Sequence, residues 1–411
     1  MSGLAQLLAE RGEIVVGSDR EVSPATELLE SKGIQVIIGQ QADNVPEDAS
    51  VFVYTVAVHT DNPERVRAKE LGIPQVSYFE MLGSVSEEKR TIAVAGTHGK
   101  TTTTGMLAKI LRDAGASPSA VVGSIVQDFG SNFLKGDSDI FVVEACEYQR
   151  HFLNISPEIL VVTNIEFDHT DYYQDLADVQ DAFRTLMKKV PPHGFIITDV
   201  ERSSINPLLE GLSATIIDYM QEPEWPLLLP GEFNQMNARA AAAAARAVLP
   251  SITSGTIVTA LEDFHGTWRR FEYKGKTKSG TDVYDDYAHH PTAIRETLRA
   301  LKEKTEGRVF VAFHPHLYSR TRDLLDGFSR AFVDADEILI APIFAARETD
   351  DGTISNEILA ERIREEGRKA RALSFEEIEE VLSSEPGKGD VIMTMGAGDI
   401  YKVANAISTK D

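Results

Sequence analysis

Apolar and polar positions along this chain fall into two alternating patterns. Short, nearly unbroken apolar runs recur throughout: EIVVGSD, IQVIIG, SVFVYTVA, TIAVAG, DIFVVEA, EILVVTNI, GFIITD, TDVYDDY, RVFVAFHP, DEILIAPIF and DVIMTMG. Their β-branched residues and lack of polar alternation predict strands covered on both faces. Between them lie helical patterns such as SPATELLESKG, NPERVRAKELG and PTAIRETLRALKEK, and the chain opens with MSGLAQLLAERGEIVV, an amphipathic helix running into a strand. Strands and helices in alternation predict an α/β fold of mostly parallel sheets with flanking helices.

A chain of 411 residues exceeds one ordinary core, and about 150 residues per domain suggests three domains. Two polar stretches offer boundaries: SVSEEKR at 84–90 and WRRFEYKGKTKSGT at 268–281. The expected division is 1–88, 89–272 and 273–411, with one sheet in each part. No repeat array is visible.

Charge narrows the partners. With 64 acidic against 41 basic residues the formal charge is −23, which disfavours a nucleic-acid partner. An anionic nucleotide is compatible where Lys, Arg, Mg²⁺ and helix N-termini gather locally. The single cysteine, Cys146, excludes an intramolecular disulfide framework and a cysteine zinc cluster, and suits a reducing cytosol. The longest apolar candidate, ARAAAAAARAVLP, is interrupted by Arg239 and Arg246 and is too short to span a bilayer. The expectation is a soluble, cytoplasmic protein with no membrane partner.

Candidate chemistry begins at VAGTHGKTTTT, residues 94–104, where an apolar strand enters a glycine-bearing turn and then a helix. Backbone N–H groups there can cradle a phosphate, Lys100 can reach its outer oxygens, and the Thr101 hydroxyl can ligand Mg²⁺. The general phosphate-loop pattern wants glycine at position 94, where this chain has valine; its first glycine is Gly96. EACEYQRHFL and VVTNIEFDHTDYY then place Glu144 and His169 just after apolar strands, where active groups of open α/β sheets gather. PGEFNQMNA puts Asn234 and Asn237 on one helix face, suited to an adenine edge or, for Asn234, to capping. GTWRRFE offers Arg269 and Arg270 for phosphate, one of which could instead pair with Glu272. His289, His290, His314 and His316 raise the thought of zinc, but HPH lacks the spacing that sets two ligands on one helix face. A small anionic substrate, with arginine as a fork for a carboxylate, fits that region better.

GTHGKTTTT, EACEYQRHFL, TNIEFDHTDYY, PGEFNQMNA, GTWRRFE, DDYAHHPT, PHLYSRTRD and MGAGDI, in this order, resemble the Mur ligases of peptidoglycan synthesis nearly end to end. The resemblance implies three domains: a truncated Rossmann-like UDP-sugar domain, a central P-loop ATPase domain and a Rossmann-like C-terminal ligase domain. Within the family it is strongest to the branch that joins L-alanine to the lactyl carboxylate of UDP-N-acetylmuramate through an acyl phosphate. It implies ATP and Mg²⁺ as cofactors, small-molecule substrates, and a monomer or homodimer.

The resemblance also implies residue roles. Gly96, Thr97, His98, Gly99, Lys100, Thr101 and Thr102 would form the ATP loop, with Lys100 on the phosphates. Thr101 and Glu144 would ligand one Mg²⁺, and His169 would serve a second metal site. Asn234 and Asn237 would face adenine, Arg270 would reach phosphate, and Asp286 would contact the nucleotide. Tyr287, His289, His316 and Arg320 would receive the amino acid. Departures are informative. The family usually opens with GxGGxGMSGLA, whereas this chain starts at MSGLAQLL, so the first strand and pyrophosphate turn are expected to be missing; either the start is internal to a longer natural chain, the favoured reading, or the UDP portion is held weakly. Phe233 replaces a frequent histidine, and Leu317 stands where some members carry arginine. Sister ligases use a carbamylated lysine where this chain has Arg184, so carbamylation is not expected. Competing readings are a ligase that attaches a whole tripeptide, a catalytically weak nucleotide-binding protein, and a P-loop kinase, which the third α/β block disfavours.

Overall fold

The computed structural model describes residues 1–409. They gather into two compact units, the first made of Met1–Ile165, Gln180–Trp225 and Asn237–Glu262, the second of Glu166–Val179, Pro226–Met236 and the chain from Asp263 onward.

In the first unit the strands are β1 (Val16–Asp19), β2 (Gln35–Ile38), β3 (Phe52–Tyr54), β4 (Gln75–Ser77), β5 (Arg90–Ala95), β6 (Ser119–Val126), β7 (Ser131–Leu134), β8 (Ile140–Glu144), β9 (Ile159–Val162), β10 (Phe195–Thr198) and β11 (Thr215–Asp218). The leading residues do not make the single sheet expected. β1 pairs with β2 and β3 with β4 as two separate parallel pairs. Side chains rather than a strand ladder tie this region together: the buried Glu64 carboxylate accepts the Ser18 hydroxyl of β1 at 2.7 Å and the Asn44 amide at 2.7 Å. Helices here start where the sequence supplies caps. Ser23 and Thr26 form a capping box ahead of Pro24–Ser31, and Ser77 with Glu80 does so ahead of Tyr78–Glu87.

The larger sheet runs β11-β10-β9-β5-β8-β6-β7, parallel except for β7. Its centre is apolar on both faces: Ile92, Val94, Phe141, Val143, Leu160 and Val162 are fully buried. The alanine run of the helix Glu232–Val248 is also buried, Ala240–Ala245 lying at most 4 % exposed. It is a tightly packed core helix, and among the described residues no helix is long and apolar enough to cross a membrane.

The second unit holds β12 (Glu272–Lys276), β13 (Asp282–Asp286), β14 (Val309–Phe313), β15 (Glu337–Ile340), β16 (Ala370–Ala372) and β17 (Val391–Met395). They form one sheet, β12-β13-β17-β14-β15-β16, parallel except at β12. Alternate residues of β14 feed two cores, Val309, Val311 and Phe313 on one face and Phe310 and Ala312 on the other. The polar stretch 268–281, read from sequence as a boundary, thus contains a strand, β12.

All eleven apolar runs became strands; β4, β6, β7, β11, β12 and β16 were not anticipated. Five of these are edge or short strands of mixed polarity, and β6 is an apolar run broken by Gly123.

Candidate active site

In the first unit β5 ends at Ala95 and the chain turns through Gly96 to the helix Lys100–Asp113. Val94, where the general pattern has glycine, is still strand, paired with Glu144 on one side and Val161 on the other. Glycine is needed two residues later. Gly96 has φ +141°, and a Cβ there would lie 2.0 Å from the Thr163 hydroxyl; Gly99 has φ +82°, and its Cβ would lie 2.2 Å from Asn237 Oδ1. The loop is braced from beyond β9, by residues not singled out in the sequence. Thr163 donates to His98 O at 2.6 Å, Asn164 Oδ1 accepts His98 N–H at 2.9 Å, and Thr97 N–H donates to Asn164 O at 3.1 Å.

Lys100, Thr101 and Glu144 come together as the sequence suggested. The Thr101 hydroxyl donates to Glu144 Oε1 at 3.0 Å, and Glu144 Oε2 accepts the Gly123 N–H at 2.7 Å. A hydroxyl and a carboxylate held side by side are hard oxygen donors of the kind Mg²⁺ takes, so these residues fit the ion. Thr102 is buried in the first helical turn. Asn237 Oδ1 accepts the Thr103 hydroxyl at 3.2 Å. Gly123 is constrained by the carboxylate itself, because a Cβ would stand 2.5 and 2.6 Å from the two Glu144 oxygens. Gly123→Ala is therefore expected to displace Glu144 and raise the Mg²⁺ concentration for half-maximal activity by about 10- to 100-fold, the usual loss when a metal ligand's support is removed. A Mg²⁺ titration of turnover checks this.

A second cluster forms within the second unit around Arg320, which is 2 % exposed. Its Nε donates to Asp168 Oδ1 at 2.8 Å, Nη1 to His316 Nδ1 at 2.9 Å, and Nη2 approaches His169 Nδ1 at 3.5 Å. The guanidinium thus meets a carboxylate of the protein's own, the buried Asp168. Burial works against Asp168 ionising, but Arg320 outweighs it and holds the carboxyl well below its ordinary range. His169 has φ +54°, and its N–H donates to Asp168 Oδ1 at 2.6 Å. The His289 and His316 rings lie 6.0 Å apart, and Tyr287 meets His289 edge-on at 5.3 Å. Burial and the nearby Arg320 charge depress both imidazoles, His316 to about 3 and His289 well below its ordinary value. Both are neutral near pH 7.

The hydrogen bonds assign their tautomers. His316 Nδ1 accepts from Arg320, leaving Nε2–H as donor. His289 Nδ1 faces Tyr287 O at 2.9 Å and so carries the proton, leaving Nε2 as acceptor. Leu317 is buried with φ +71°, turning the chain between His316 and Arg320. His290 caps the helix Pro291–Lys302, and His314 packs between Phe344 and Phe375, apart from the His289–His316 pair, so the four imidazoles considered for zinc do not converge.

The GTWRRFE pair divides its work. Arg269 is buried and structural, donating to Asp285 at 2.7 Å and to the carbonyls of Gly398 and Gly396 at 2.9 and 2.6 Å. Arg270 stands over the Tyr287 ring at 5.0 Å. Asp286 is buried, and its oxygens accept the Phe271 and Ala288 N–H groups at 2.7 and 2.6 Å. Burial raises its pKa, against the pull of Arg270. Asn234 donates to Pro230 O at 2.7 Å, Phe233 packs against the second unit's core, and Arg184, in the first unit, ties down the carbonyls of Leu208 and Glu210.

Three family models cover most of the chain: the Mur ligase family catalytic domain over residues 1–90, the Mur ligase middle domain over 94–224, and the Mur ligase glutamate ligase domain over 269–398. A UDP-N-acetylmuramate–L-alanine ligase of Clostridium botulinum is 39 % identical, the match covering 98 % of this chain and 94 % of the relative. The chain belongs to the Mur ligase family. The same named enzyme of Acetivibrio thermocellus is also 39 % identical, over 98 % of this Mur ligase and 92 % of the relative. Among solved structures, the UDP-N-acetylmuramate-alanine ligase of Thermotoga maritima aligns with a TM-score of 0.82 at 28 % identity, covering 99 % of this chain and 95 % of that one. A murein peptide ligase of Psychrobacter arcticus aligns at 0.73 and 24 % identity over 100 % and 97 %, a likeness of fold.

Proposed function

We propose that this Mur ligase joins L-alanine to the lactyl carboxylate of UDP-N-acetylmuramate at the expense of ATP, in the cytoplasm. The observation that carries this reading is the nearly full-length likeness to the curated alanine ligases, and the phosphate-loop geometry supports the chemistry. A carboxylate is a poor electrophile until one oxygen becomes a leaving group. In the proposed sequence that oxygen attacks the γ-phosphorus and ADP leaves; the alanine nitrogen attacks the acyl carbon, loses a proton, and phosphate departs with the amide formed. The boundaries 1–88, 89–272 and 273–411 are proposed for the UDP-sugar, ATP-binding and ligase domains.

Lys100 would hold the phosphates, with the loop N–H groups from Gly96 to Thr102 around them. Thr101 and Glu144 would hold Mg²⁺, and His169 is proposed for a second metal. The bound ion would offset charge on the transferring phosphoryl group. Asn234 and Asn237 are proposed for adenine, and Arg270 for phosphate, with Asp286 fixing its surroundings.

The neutral imidazoles suit an amino acid. His316 Nε2–H can donate to its carboxylate, and His289 Nε2 can accept from its amine without repelling it. Arg320 and Tyr287 hold these two rings. Incubation with UDP-N-acetylmuramate, ATP, Mg²⁺ and either L-alanine, L-serine, glycine or tripeptide, with products identified by mass, tests the assignment. L-Alanine is expected to give the fastest ligation. A product with tripeptide alone would overturn it.

A further inference from the structure

Glu147 lies in EACEYQRHFL, and neither the motif reading nor the proposed mechanism uses it. It is 2 % exposed, and its carboxylate faces the phosphate-loop lysine: Lys100 Nζ lies 3.0 Å from Oε1 and 2.8 Å from Oε2. The same ammonium donates to Gly96 O at 2.6 Å and Thr97 O at 3.1 Å. An ammonium has three N–H donors, and here three groups of the protein accept them. A phosphate can gain Lys100 only if one of these gives way. The two carbonyls belong to the loop itself, which leaves Glu147 as the partner to exchange.

The neighbouring acidic groups do not compete for Lys100. Both Glu144 oxygens are engaged by Thr101 and Gly123. Burial, reinforced by the Glu147 charge, pushes the Cys146 thiol up to about 12, so it stays neutral. Glu147 is also followed closely by Gln149 and Arg150 with φ of 51° and 59°, left-handed conformations that cost non-glycine residues energy.

We infer that Glu147 is a positioning residue that stands in for phosphate in the nucleotide-free enzyme, holding Lys100 at the loop and leaving it when the nucleotide arrives. This rests on the nucleotide reading above. Its consequence is that the protein's own carboxylate competes with the ligand, so removing its charge tightens binding.

The test is ADP affinity, by titration calorimetry, of the full chain and of Glu147→Gln and Glu147→Asp, each in EDTA and in Mg²⁺. Glu147→Gln should bind ADP at least about fivefold more tightly in both conditions, a coupling of ordinary size, while Glu147→Asp, which keeps the charge, should stay near wild type. Without nucleotide Glu147→Gln should melt lower than wild type, and saturating ADP should narrow that gap. Structural damage alone would weaken ADP binding. Unchanged or weaker affinity in EDTA overturns the inference, as does tighter binding in EDTA with loss in Mg²⁺, which would make Glu147 a metal ligand. If wild type binds no ADP, the nucleotide reading fails and this inference with it.

Discussion

Lys100→Ala is expected to lower kcat by about 10²- to 10³-fold, the loss typical when one preorganised charge stabiliser is removed. The transferring phosphoryl group offers little covalent chemistry to a protein, so its catalysis is positioning and charge stabilisation. Lys100 is the loop's only cationic side chain between Val94 and Thr104. Burial works against its charge, but Glu147 and its anionic neighbours outweigh this and raise its pKa, so the ammonium stays protonated throughout the neutral and mildly alkaline range. Steady-state kinetics of the purified variant check the prediction, with far-ultraviolet circular dichroism to confirm folding, because the substitution leaves Glu147 buried without its cation. Near-normal turnover would remove Lys100 from the mechanism.

Asp168→Ala is expected to cost the second unit about 3–5 kcal/mol, the usual penalty for breaking a buried ion pair and leaving its partner charged. Both members are buried, Arg320 at 2 % and Asp168 at 5 % exposure, and the guanidinium would lie against two imidazoles without the carboxylate that pairs with it. The pair also predicts a pH dependence. Because Asp168 is held well below its ordinary value when folded, its contribution is present above the unfolded carboxylate value of about 3.9 and is lost as pH falls through the lower folded value. Urea unfolding from pH 7 to pH 3 should show wild-type stability falling at the acid end. The variant, less stable at pH 7, should lack Asp168's share of that fall. Equal stability of the two proteins at pH 7 would contradict the account.

What the sequence made legible follows from the strength of each signal. Unbroken β-branched runs identified the central strands because burial on both faces leaves no polar positions to confuse the pattern. Strands such as β7 and β16 at sheet edges carry mixed side chains, and β6 was hidden by Gly123, whose reason for being there is the Glu144 carboxylate across from it. That link is tertiary, joining residues on separate strands, and no local pattern contains it. The separation of β1–β2 from β3–β4 was likewise invisible, since strand order depends on pairing rather than composition.

The turn that carries Lys100 and Thr101 was readable because strand, glycine turn and helix follow one another in the chain, and Glu144 because it ends a second apolar strand. Its braces, Thr163 and Asn164, belong to TNIEFDHTDYY, two motifs along. Arg320 was read with Tyr287, His289 and His316 as the region that receives the amino acid, without the carboxylate it meets. Its partner Asp168 is 152 positions away, and only the fold shows that the guanidinium is already claimed.

The central claim, amide formation through an acyl phosphate, is tested most directly by UDP-N-acetylmuramate carrying ¹⁸O in both lactyl carboxylate oxygens. With ATP, Mg²⁺ and L-alanine, mass spectrometry should find one ¹⁸O in the released phosphate and one retained in the alanine amide. ATP cleavage giving only unlabelled phosphate, with no ligated product, would contradict the account.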